Sequence, residues 1–80
     1  MDRLEKQIGK RVRALRGERT QKDYSEAVGV SQYKLCRVER GTFLPRVSTL
    51  ISIARESKVS LDWLCTGEDE PFTRLRSPRS

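Results

Sequence analysis

Five side chains of the stretch Thr20 to Gly41, TQKDYSEAVGVSQYKLCRVERG, fall on one face of a predicted helix: Gln32, Tyr33, Cys36, Arg37 and Arg40. They recur at offsets of three and four, the period of one helix face. Gln and Arg are the side chains whose paired polar groups match the edges of adenine and guanine respectively. Glu and Lys would be the commoner filling of a solvated helix; here only Lys34 stands on the flank. Other chemistries find no residues. The chain has no His, which removes His-based acid–base and triad catalysis and most metal sites. Cys36 and Cys65 are isolated, without a CxxC, and read as reduced thiols filling space. With no nucleophile–base spacing and no phosphate-cradling Gly loop, neither an enzyme nor a cofactor is expected.

The elements that must present this face can be read from the same periodicity. Tyr24, Ala27 and Val28, then Val30, Leu35 and Val38, give two short helices one apolar seam. Gly29 stands between them, where a helix can end in the left-handed conformation, and Ser31 can cap the second helix. This is the helix-turn-helix pattern. Thr20 with Asp23 forms a capping-box-like pair, and Gln21 and Lys22 sit in a first turn whose free N–H groups suit an anion. Upstream, Leu4, Ile8, Val12 and Leu15 predict an amphipathic helix from Asp2 to about Arg16, stopped by Gly17. Thr42 to Arg46 is a loop, because the residue before Pro45 resists helix. Val47, Leu50, Ile51, Ile53 and Ala54 define a fourth helix ending near Ser57 or Lys58. Ser60 caps a fifth, Leu61 to Cys65, closed by Gly67, in which Trp63 is a core or subunit contact. The expectation is an all-α, five-helix domain over residues 1–67, followed by a mobile tail over 68–80.

Charge placement points to the partner. Residues 1–46 hold 12 Lys/Arg against 6 Asp/Glu, whereas residues 47–80 hold 5 of each, so the whole formal net charge of +6 lies in the part of the chain that contains the two-helix unit. Such asymmetry suits a polyanion. No apolar run approaches the ~20 residues that span a bilayer, and the charged N-terminus is unlike a signal peptide. A cytoplasmic protein without membrane contact is the expectation.

The segments IGKRVRALRG, TQKDYSEAVGVS, YKLCRVERG, a Pro before the next helix and VSLDWLCTGE occur in the order found in one family. Together they resemble the phage-repressor and Cro type of helix-turn-helix regulator, the XRE-like or lambda-repressor-like group, over about Ile8 to Glu68. The resemblance implies a compact five-helix lambda-repressor-like DNA-binding domain with its helix-turn-helix at helices 2–3, binding a palindromic operator as a homodimer. By position it implies that Gln21 binds phosphate and buttresses the recognition helix. It implies that Gln32, Tyr33 and Arg37 read bases, that Lys34, Arg40 and Thr42 lie near the DNA backbone, and that Arg46 points toward the minor groove. Arg16 and Glu39 match a pair that ties the first helix to the recognition helix and orients it without reading. The sequence also departs from the family. The first connection is about two residues shorter than usual, Tyr33 replaces a smaller residue, Lys58 stands at a usual helix-ending Gly, and Arg46 replaces a Ser or Asp cap.

The function expected is a sequence-specific transcriptional regulator of double-stranded DNA, a repressor that acts as a homodimer. The alternative is an antitoxin or other protein-interaction module, with a protein partner held by the tail PFTRLRSPRS and the helical domain used for autoregulation.

Overall fold

In a computed structural model, which describes residues 3–68, the chain forms five helices in the order expected: α1 (Leu4–Arg16), α2 (Gln21–Val28), α3 (Gln32–Arg40), α4 (Val47–Ser57) and α5 (Leu61–Thr66). The proposed helix start at Asp2 and the tail beyond Glu68 lie outside the described residues. α1 packs against α3 and α5, α2 against α3 and α4, and α4 against α5. No helix among the described residues is long and apolar enough to cross a membrane.

Three of the helices begin on side-chain caps. The hydroxyls of Thr20, Ser31 and Ser60 accept from the backbone N–H groups of Asp23, Lys34 and Trp63, each satisfying a donor that the first turn leaves free. α1 and α4 instead begin at Arg3 and Arg46, with no side-chain cap bond. α4 ends on Lys58 in the left-handed region, φ 59°, with the N–H of Val59 returning to the Ala54 carbonyl at 3.0 Å. A side chain there strains the backbone by roughly 1–2 kcal/mol, partly offset by the unfolded-state entropy that Gly would add. Lys58→Gly is therefore expected to raise stability by about 0.5–1 kcal/mol. The check is a higher urea midpoint at unchanged slope.

The core draws on every helix: Ile8 and Val12, Tyr24 and Val28, Leu35 and Val38, Leu50, Ile53 and Ala54, then Val59 and Leu64. Leu15, Val30, Phe43, Trp63 and Cys65 pack on its margin, so Trp63 is half core and half surface. Three expected core positions are corrected. Ala27 is exposed and Ser25 is buried in its place. The buried stripe of α2 runs through Tyr24, Ser25 and Val28, and Ser25 settles its hydroxyl on the Lys22 carbonyl at 2.8 Å. Val47 and Leu4 are exposed because each lies in the first turn of its helix, beyond the reach of the core. Burial pushes the Tyr24 phenol above its ordinary pKa; its hydroxyl bonds Ser57 on α4, and Arg19 lies over its ring at 4.5 Å.

One contact lets α1 approach α3. Gly9 is buried, and a Cβ built on it would stand 2.4 Å from the Val38 carbonyl oxygen and 3.0 Å from that of Glu39. Helices this close admit no side chain between them. At the other side of α1, Arg11 donates to the Leu64 carbonyl at 3.1 Å, satisfying one of the acceptors left free at the end of α5.

Candidate nucleic-acid interface

Leu35 and Val38 anchor α3 in the core, so its opposite face must meet solvent. Gln32, Tyr33, Lys34, Arg37 and Arg40 are all exposed there, and Cys36 is half-buried among them. Tyr33, at 73%, is the most exposed large hydrophobic side chain among the described residues. A polar face of this size on a nine-residue helix could not orient itself by apolar contacts alone.

Its orientation comes from directional bonds. Glu39 accepts from Arg16 Nε at 2.8 Å and Nη2 at 3.1 Å, a two-pronged pair, and from Gln21 Nε2 at 3.1 Å. A single carboxylate thus joins α1, α2 and α3. Its side chain is only 3% exposed and that of Arg16 15%, so the charges compensate each other largely out of water. Arg16 also donates to the Arg19 carbonyl at 2.7 Å, fixing the short α1–α2 connection. Gln21 takes the buttressing place, with its amide nitrogen committed to Glu39. Lys22, beside it, pairs with Glu26 at 2.8 Å, which raises its pKa.

The C-terminal end of α3 carries a second arrangement. Gly41 adopts the left-handed conformation, φ 77° and ψ 20°, and turns the chain back. The N–H and hydroxyl of Thr42 then both donate to the Arg37 carbonyl, at 3.3 Å each. The next residue, Phe43, places its ring 5.2 Å from the Arg37 guanidinium carbon, and Tyr33, one turn back on α3, places its own at 5.9 Å. Arg46 is exposed at the start of α4, where the helix lacks a side-chain cap.

The structure thus brings Gln32, Tyr33, Lys34, Arg37 and Arg40 onto one helix and joins Arg16, Gln21 and Glu39 behind it. Thr42 is turned onto its own helix end, and Arg46 stands on the next element. Phe43 and Gly9 escaped the sequence reading. A loop aromatic shows no periodicity, and a mid-helix Gly tells nothing of what approaches it. The lone cue for Phe43 was an aromatic two residues before a Pro.

No protein-family model and no curated protein matches the chain, but solved structures do. The P22 c2 repressor, crystallised in complex with a synthetic operator, is 28% identical with a TM-score of 0.71, over 76% of this chain and 96% of that one. An HTH_3 family transcriptional regulator from Vibrio cholerae is 27% identical with a TM-score of 0.70, over 81% of this chain and 38% of that one. The restriction-modification controller protein C.AhdI from Aeromonas hydrophila, at 21% identity and a TM-score of 0.69 over 75% of this chain and 94% of that one, shares the fold.

Proposed function

From its lambda-repressor-like helix-turn-helix fold, the fold of the phage repressors, we propose that this chain is a sequence-specific DNA-binding transcriptional regulator acting as a homodimeric repressor on a palindromic operator. The observation that carries the reading is the exposed Gln32–Tyr33–Arg37 face on a helix whose angle is locked by the part-buried Arg16–Glu39–Gln21 network. A solvated surface helix needs no such lock. A reader does, because bidentate contacts to base edges fail with small errors of angle.

In this function α3 enters the major groove. Gln32 offers its amide to an adenine edge, Arg37 its fork to guanine, and Tyr33 its ring to a thymine methyl. Lys34 and Arg40 meet phosphates and set the register, Gln21 joins them through the amide hydrogen that Glu39 leaves over, and Thr42 does so once its hydroxyl turns from the Arg37 carbonyl; these contacts fix position without specifying sequence. Arg46 places a cation near a narrow minor groove, offsetting the missing cap of α4. Two-fold symmetry puts the half-sites about one helical turn, roughly 34–36 Å, apart.

Selection from random duplexes at stated salt tests this, with Arg37→Ala and Arg46→Ser as its arms. A palindromic consensus is expected. Arg37→Ala should relax one base position by about 1–3 kcal/mol. Arg46→Ser should flatten the log–log salt slope by roughly one unit with base preference unchanged. Equal affinity for selected and scrambled duplexes would remove the function.

A further inference from the structure

Base readout by Arg37 calls for more than Arg37. We propose that Phe43, in the loop between α3 and α4, is a positioning residue that together with Tyr33 holds the Arg37 guanidinium in a two-ring clamp. Specificity at the base that Arg37 faces then depends on a side chain that has no need to touch DNA. This rests on the reading of α3 as the base-reading helix.

An exposed Arg samples many rotamers, and a base contact must select one of them. A guanidinium over an aromatic face within ~6 Å is held there by the ring quadrupole. Arg37 lies within that range of two rings, Phe43 at 5.2 Å and Tyr33 at 5.9 Å. The two walls differ in kind. Phe43 is half-buried and packed on the core, whereas Tyr33 is 73% exposed and free to shift toward a groove.

The loop is built to bring the fixed wall back. The Arg37 carbonyl receives the backbone N–H and hydroxyl of Thr42, so the residue whose head is clamped also anchors the turn that carries the clamp. Stacking and base reading do not compete. A ring engages the face of the guanidinium, while its N–H donors lie in the plane and point outward.

Because Phe43 also packs on the core, the test uses two readouts on the full chain. In the free protein, NMR should show the Arg37 side-chain protons shifted upfield by ring current, with the shift reduced in Phe43→Leu. Unshifted protons in the wild type would overturn the clamp. In duplex selection at fixed salt, Phe43→Leu should lower the preference at the Arg37-dependent position about three- to tenfold. The salt slope should stay unchanged, and Phe43→Tyr, which keeps a ring, should retain the preference. In an Arg37→Ala background, Phe43→Leu should change that preference no further. A uniform loss across all sequences, or an additive loss in the double variant, would reduce Phe43 to packing. If Arg37→Ala alone leaves every preference intact, base reading by Arg37 fails, whatever the NMR shows.

Discussion

Arg16→Ala should lose about 3–5 kcal/mol of unfolding free energy, because it strands the Glu39 carboxylate. Glu39 is 3% exposed, and its bonds from Arg16 Nε and Nη2 would vanish together, leaving only the neutral Gln21 amide. Small domains have roughly 5–15 kcal/mol in total, so the variant should be partly unfolded well below the wild-type midpoint. Urea titration followed by the fluorescence of Trp63, half-buried beside the core, reads this directly. A loss below about 1 kcal/mol would mean that water reaches the carboxylate freely. Replacing both partners by apolar groups, Arg16→Met with Glu39→Leu, should restore most of the stability, since no buried charge remains. The same double variant separates holding from aiming. If the pair serves orientation, a well-folded double variant should still lose discrimination between operator and scrambled duplex.

Gly9→Ala should destabilise the domain by about 2–4 kcal/mol, against the usual direction of such a change. In an ordinary helix interior Ala is favoured over Gly by roughly 1 kcal/mol. Here the added methyl would meet the backbone carbonyl oxygen of Val38 at 2.4 Å, that of Glu39 at 3.0 Å and the Gly41 nitrogen at 3.2 Å. None of these atoms can rotate aside. Relief requires α1 and α3 to separate, which would stretch the Arg16–Glu39 bonds and loosen the core around Ile8 and Val38. Thermal melts of the wild type and Gly9→Ala decide it; a neutral or raised midpoint would show that the two helices slide apart at little cost.

These two sites also show what a sequence can and cannot disclose. Thr20, Ser31 and Ser60 were readable as caps because the partner of a cap is a backbone N–H three residues on, a local relation. The Arg16–Glu39 pair joins residues 23 apart, and it was legible only through resemblance to a family that repeats it. The left-handed Lys58 was legible in the same way. Ala27 and Ser25 traded places because three positions of an eight-residue helix define its phase poorly, and Ser can bury a hydroxyl by bonding its own helix. Gly9 was opaque for a different reason: its role lies in the atoms opposite, on a helix some thirty residues away. Phe43 was opaque because a turn, and no periodic pattern, carries it to Arg37.

On α3, the residues facing inward and those facing outward alternate along the chain yet share almost no duties. Leu35, Val38 and Glu39 bind the helix to the body, while Gln32, Tyr33 and Arg40 take no part in the core. Substitution at the outer positions can therefore explore new partners at little risk to folding. Such a helix works as an exchangeable key bit on a permanent shank. The frame itself tolerates wide change in sequence: the P22 c2 repressor keeps it with a TM-score of 0.71 at 28% identity.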